Sequence, residues 1–146
     1  GKDDSLDFGF DEGYELIIHD PAHEHSCNEI ILRSNKIYGA LRGLETLSQM
    51  INYHFATDEY KVNIGIIKDF PRFKHRGMLL DTSRHWHPPV AIKRFLLALS
   101  FAKYNVFHWH VVDEESFPYQ SNAFPNLWNG SYSNYERYSE QDILEI

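Results

Sequence analysis

Arg76-Gly77-Met78-Leu79-Leu80-Asp81 and Asn105-Val106-Phe107-His108-Trp109-His110-Val111-Val112-Asp113 decide the fold. The first is a continuous apolar run that ends in a carboxylate. Such runs suit parallel strands buried on both faces, so a strand is expected over 77–82. The second stretch predicts another strand from Val106 to Val112, followed by Asp113-Glu114-Glu115. Between them lie Pro88-Pro89, which favour a helix start. Ile92, Phe95, Leu96, Leu99 and Ala102 then repeat at helical spacing, and Asn105 is placed to stop the helix. The order is strand, helix, strand, with adjacent parallel strands and a right-handed crossover expected. Val106 follows Gly77 by 29 residues. A (β/α)8 barrel of about 250 residues spends roughly 31 on each unit. The fold class is therefore α/β, and residues 73–146 read as the first two units of a TIM barrel. Ser139-Glu140-Gln141-Asp142 resembles a capping box that opens a further helix before Ile146.

Upstream, the pattern differs. Residues 1–70 read as the end of a small α+β domain. Tyr14, Leu16 and Ile18 alternate as a half-buried strand, Pro21 to Ser26 form a polar turn, and Glu29 to Ser34 return as its hairpin partner. Ile37, Leu41, Leu44, Leu47 and Ile51 mark one face of a helix about four turns long. Gly39 and Gly43 each cost up to about 1 kcal/mol relative to Ala within a helix, so close packing against a sheet is the expected reason for them. Val62, Ile64 and Ile66 predict a third strand, and Asp69-Phe70-Pro71-Arg72 closes the domain.

Composition narrows the partners. The chain has 146 residues, with Lys plus Arg at 14 and Asp plus Glu at 21, for a net charge of -7. A broad cationic footprint for nucleic acid does not fit that balance. No run of 18 apolar residues exists, so no segment is expected to form a spanning helix. Gly1-Lys2-Asp3-Asp4-Ser5 has no signal-peptide core and reads as a processed or truncated end. The one cysteine, Cys27, cannot close a disulfide within this chain and excludes a four-cysteine zinc site. It is either a buried thiol or half of a disulfide with a partner outside the chain. Aromatic residues make up 15%, enough to supply flat surfaces for burial or for stacking on ligands.

In α/β barrels the strand C-termini build the active site. Asp81, Ser83, Arg84 and His85 fall there after the first strand, and His108, His110, Asp113 and Glu115 after the second. The forked guanidinium of Arg84 suits vicinal hydroxyls or a carboxylate; an internal ion pair with Asp81 or Asp113 is the alternative. His108 and His110 lie on one strand face and could bind a metal, or simply hydrogen-bond inside a barrel. Asp113 and Glu115 would stand about 7 Å apart on an extended strand, a spacing that tempts an acid–base assignment for glycoside hydrolysis. A solvated loop is the alternative. Asn129-Gly130-Ser131 fits the N-glycosylation sequon within a polar, exposed loop.

Three stretches go beyond generic chemistry: Gly39-Ala40-Leu41-Arg42-Gly43-Leu44-Glu45-Thr46, Arg76 to His85, and Asn105 to Asp113. In this order they closely resemble the β-N-acetylhexosaminidases of glycoside hydrolase family 20, the animal lysosomal type above all. The resemblance implies a small α+β domain followed by a (β/α)8 catalytic domain. It implies removal of terminal N-acetylglucosamine or N-acetylgalactosamine with retention, by a substrate-assisted mechanism without metal or cofactor. Arg84 matches the arginine that binds sugar hydroxyls. Asp113 matches a sugar-binding aspartate, and His110 lies on the motif as a supporting residue. The catalytic Asp-Glu pair belongs to a later strand, beyond Ile146, so Asp113 and Glu114 are not that pair, and the acid–base assignment of Asp113 and Glu115 is demoted. The chain is thus expected to be a fragment, inactive alone, of a lysosomal or secreted enzyme acting on amino-sugar glycoconjugates. The resemblance allows a dimeric parent and implies a glycan on Asn129. A truncated product that binds sugar without turnover, and a metal-dependent hydrolase using His108 and His110, are the alternatives.

Overall fold

The computed structural model describes residues 7–19 and 29–146. The polar turn at Pro21 to Ser26 and Cys27 lie outside the described residues. The chain divides into two compact units, residues 1–75 and 76–146.

In the first unit, strands β1 (Tyr14–Ile18), β2 (Ile30–Ser34) and β5 (Gly65–Asp69) form an antiparallel sheet in the order β2-β1-β5. The central strand alternates as its sequence requires, with Tyr14, Leu16 and Ile18 buried. Leu16 faces Leu32 on one side and Ile67 on the other. These residues, with Leu47, Met50 and Val62, form the core. Helix α1 (Ile37–Met50) lies on this sheet. The glycine expectation holds: a Cβ on Gly39 would come within 2.3 Å of the Gly13 carbonyl oxygen, and one on Gly43 within 2.3 Å of Leu32 Cδ1.

That approach also sets which face of the helix meets the sheet. Ile37, Leu41, Leu44 and Ile51 are between 44% and 55% exposed. The glycine side meets the sheet because only there can the backbone come this near, so most of the leucine stripe turns outward. Two differences from the sequence expectations concern the strands. A hairpin of β3 (Asn52–His54) and β4 (Glu59–Lys61) precedes the third sheet strand, which starts later than Val62. Ile67 rather than Ile66 therefore faces the core, since a one-residue slip exchanges the two faces. The helix is also pinned by polar contacts. The Tyr14 hydroxyl donates to Asp69 Oδ2 at 2.9 Å and lies 2.5 Å from Thr46 Oγ1, and Arg42 Nε donates to the buried Glu12 at 2.7 Å.

In the second unit, β6 (Gly77–Asp81) and β7 (Val106–His110) are adjacent and parallel, joined by α2 (Pro89–Phe101). The register runs from Gly77 opposite Val106 to Asp81 opposite His110. Pro89 occupies the first turn of α2, where its missing N–H costs no hydrogen bond. Ile92 and Leu99 carry the buried face, while Ala102 is exposed. Asn105 does not stop the helix, which ends at Phe101 with Lys103 left-handed at φ 57°. Instead, Asn105 Oδ1 accepts the Arg76 N–H at 2.9 Å and its own N–H donates to the Arg76 carbonyl at 3.0 Å. This exchange aligns the starts of both strands.

The apolar run of β6 is not covered on both faces: Met78 and Leu79 stay exposed, and among the described residues β6 and β7 make a two-stranded sheet. The second strand also ends at His110, two residues before Val112. Beyond it, the chain makes a 3-10 turn at Pro125–Gly130 and returns to bridge Tyr119 with the fully buried Tyr138. Helix α3 (Glu140–Glu145) opens as expected: Ser139 Oγ accepts from the Asp142 N–H, and Asp142 Oδ2 accepts from the Ser139 N–H.

Candidate functional site

Register brings the ends of β6 and β7 level at Asp81 and His110, and the Thr82 N–H extends the pairing to the His110 carbonyl at 2.9 Å. Two aspartates then organise the loops that follow. Asp81 Oδ1 accepts the N–H groups of Ser83 and Arg84, each at 3.1 Å. Asp113 Oδ1 accepts those of Glu115 at 2.8 Å and Ser116 at 3.3 Å. Both are side chains folding back on backbone two and three residues ahead, the turn chemistry that Asp favours.

The second oxygen of each aspartate lies towards Arg84. Arg84 Nε donates to Asp81 Oδ2 at 2.5 Å, and Nη2 contacts the same oxygen. Asp113 Oδ2 lies 3.0 Å from His110 Nε2 and 3.8 Å from Arg84 Nε. The Arg84 side chain remains 61% exposed. Both ion pairs named as an alternative role for Arg84 are therefore present, and the guanidinium still faces solvent.

The electrostatics follow from these contacts. The Ser83 hydroxyl, then His110 and the two N–H groups, hold the Asp113 carboxyl well below the usual carboxylate range. The Arg84 N–H leads the groups that lower Asp81. Asp81 in turn raises Arg84. At neutral pH the site holds one fixed cation between two fixed anions, with a rich supply of donors and acceptors for hydroxyl groups.

Aromatic residues support the loop that carries Arg84. Trp109 Nε1 donates to Thr82 Oγ1 at 2.7 Å. Tyr138 packs edge-on to Trp109, with ring centroids 5.0 Å apart, and near-parallel to Trp86 at 5.8 Å. Ser83, Ser116 and Thr82 are buried beneath the carboxylates. Reasoning from the sequence missed the parts played by Thr82, Ser116 and Tyr138. Strand alternation could have placed Thr82 near Trp109, but nothing in the pattern distinguishes Tyr138 from the other tyrosines.

The remaining candidates are not brought together in the same way. Glu115 is exposed in a turn, because β7 ends at His110 and residues 113–116 fold back. The extended Asp113–Glu115 spacing does not exist. His108 is exposed, and the ligand-type atoms that lie within 4.8 Å of one another belong to Asp81, His110 and Asp113. His108 is not part of that group, and Arg84 already pairs with Asp81 Oδ2, so the metal expectation for His108 with His110 finds no support in the geometry. His85 is exposed. Asn129 is exposed on the 3-10 turn.

Residues 73–146 match the family model described as glycosyl hydrolase family 20, catalytic domain. Residues 1–50 match the model described as beta-acetyl hexosaminidase like. The chain is 43% identical over 145 residues to beta-hexosaminidase 1 of Arabidopsis thaliana, covering 98% of this chain and 27% of that protein. It is 48% identical over 134 residues to the beta-hexosaminidase subunit beta of Rattus norvegicus, covering 91% and 24% respectively. Among solved structures it resembles the chitobiase of Flavobacterium johnsoniae, with a TM-score of 0.79 and 35% identity over 92% of this chain and 19% of that one. The chain spans about a quarter of the length of the curated relatives it matches.

Proposed function

The chain belongs to glycosyl hydrolase family 20, and on that premise we propose that it is part of a retaining, substrate-assisted β-N-acetylhexosaminidase. Its substrates are glycoconjugates or chitooligosaccharides ending in N-acetylglucosamine or N-acetylgalactosamine. The observation that carries this is the exposed Arg84 guanidinium held between Asp81 and Asp113 at the ends of two parallel strands. Arg84 donates to sugar hydroxyls, Asp113 accepts from them through Oδ2, and His110 steadies Asp113.

The β6-α2-β7 unit is read as the opening of a (β/α)8 barrel, in which strand ends converge on the substrate. The acetamido oxygen of the sugar attacks its own anomeric carbon as the leaving oxygen takes a proton. Water then opens the cyclic intermediate from the face the leaving group vacated, so the configuration is retained. An aspartate that orients the acetamido group and a glutamate that supplies the proton complete the site; we place both on chain beyond Ile146. The Arg84 site thus binds and orients, and performs no proton transfer. The protein is assigned to a lysosomal or secreted compartment, with glycan on the exposed Asn129, checked by the mass lost from native material on glycan release.

A chromogenic N-acetylglucosaminide, assayed with the 146-residue chain and with a longer form carrying the rest of the barrel, tests the proposal. Turnover is expected from the longer form alone, because a missing general acid costs about 10² to 10⁴-fold. A longer form inert towards both N-acetylglucosaminides and N-acetylgalactosaminides would overturn it.

A further inference from the structure

Ser83 is 1% exposed, yet it touches both carboxylates of the site. Its N–H donates to Asp81 Oδ1 at 3.1 Å, and its hydroxyl donates to Asp113 Oδ1 at 2.6 Å. These are the two inward oxygens, each already held by its own loop. Ser83 joins them across the strand pair. Its hydroxyl has one proton and a second acceptor in reach, the Ser116 carbonyl at 3.0 Å. The ionised carboxylate takes that proton, since charge-assisted bonds are the shorter and stronger ones. Ser116 Oγ donates in turn to the Ser83 carbonyl at 2.5 Å, which fixes the residue from below.

We propose that Ser83 is a positioning residue of the sugar site, holding the carboxylates of Asp81 and Asp113 in the orientation that presents their outer oxygens beside Arg84. This rests on the amino-sugar function proposed above. The physical reason lies in the aspartate side chain. The torsion that rotates a carboxylate about its Cβ–Cγ bond is broad, so packing alone sets it poorly. Three donors on Asp113 Oδ1 remove that freedom, and the Ser83 hydroxyl makes the shortest of the three bonds. With the inner oxygen fixed, Oδ2 has one place to be, between His110 and Arg84. A buried serine that merely fills space would leave this orientation unchanged when its hydroxyl is removed.

The test compares Ser83→Ala with Ser83→Thr, which keeps a hydroxyl, in the intact protein. Steady-state kinetics on a chromogenic N-acetylglucosaminide give KM and kcat. The carboxyl carbon of Asp113, labelled with ¹³C and assigned by its loss in Asp113→Asn, gives the titration; Arg84, His110, Asp81 and Glu115 are the other titratable or charged groups near it. In Ser83→Ala, KM should rise about tenfold with kcat little changed, as expected for one lost charged hydrogen bond in a binding contact. The proton affinity of Asp113 should rise at least about tenfold, which is one unit. Ser83→Thr should stay nearer the parent in both. Should Ser83→Ala not fold, Ser83→Cys, a weak donor of similar size, carries the same comparison.

An unmoved Asp113 titration, an unmoved KM, or a Ser83→Thr variant as impaired as Ser83→Ala would each overturn the proposal. Failure of the sugar function is separable from these results: the parent protein would then turn over no N-acetylhexosaminide, while the titration would still report whether Ser83 anchors Asp113.

Discussion

Tyr138 and His87 are bonded to each other twice. The Tyr138 hydroxyl donates to the His87 carbonyl at 2.6 Å and accepts the His87 N–H at 3.2 Å. The ring is fully buried, and burial pushes its phenol pKa up, so it stays a neutral donor. A residue distant in sequence thereby clamps the loop that carries Arg84. Tyr138→Phe keeps the ring and loses both bonds. It should lower stability by about 1–2 kcal/mol in urea denaturation, with an unchanged m-value. An m-value that falls along with the midpoint would show a loosened native state instead of a lost clamp.

Under the proposed function, Arg84→Lys should raise KM and lower kcat in a form that carries the rest of the barrel. Lysine keeps the charge but cannot reproduce a fork that touches Asp81 through Nε and Nη2 while presenting further N–H groups outward. Steady-state kinetics at saturating N-acetylglucosaminide separate the two effects. Unchanged constants would remove Arg84 from the sugar site.

The Asp113 pKa is depressed in the folded protein, so its contribution to stability has a definite sign. It is present in full above the unfolded value of about 3.9 and is lost as pH falls through the lower folded value. Asp113→Asn should therefore be less stable than the parent at pH 7. The gap should narrow below about pH 4, as the parent loses its advantage. Thermal melts of both proteins across this range give the comparison, and a gap that widens in acid would contradict the assignment.

Gly39→Ala and Gly43→Ala should both destabilise the first unit, although Ala gains about 1 kcal/mol in helix propensity. Overpacking costs about 1–3 kcal/mol and outweighs the gain. Gly39→Ala should be the worse of the two. Its new methyl meets the backbone oxygen of Gly13, which cannot yield, whereas Gly43 meets the end of the Leu32 side chain. Urea midpoints of the two variants would rank them.

Much of the second unit was legible because its signals are local. An apolar run, a Pro-Pro start, a helical repeat and a capping box each name their element without reference to distant chain. In the first unit, the glycines were rightly taken as marks of close packing, but the leucine stripe alone did not say which helix face meets the sheet. Hydrophobic spacing records which residues share a face; it does not say which face a backbone can bring nearest to a sheet. The β3–β4 hairpin was missed because all its residues are exposed, so alternation leaves no trace.

At the candidate site, Arg84, Asp113 and His110 were singled out from their place after the strands and from family resemblance, and the structure brings them together. The anchoring of Asp81 and Asp113 was not foreseen. It depends on N–H groups of Ser83, Arg84, Glu115 and Ser116, and every residue type except proline carries one.

The arrangement of Asp81, Arg84 and Asp113 also bears on which ligands the proposed sugar site would take. Two carboxylates around one guanidinium leave a local excess of one negative charge, before any protonation of His110. An incoming phosphate, sulfate or carboxylate would find the arginine already neutralised and a second anion beside it. A neutral polyol meets no such repulsion, and it can use the outward N–H groups and the free lone pairs together. Under the proposed function, this charge disfavours acidic sugars before any shape selection begins.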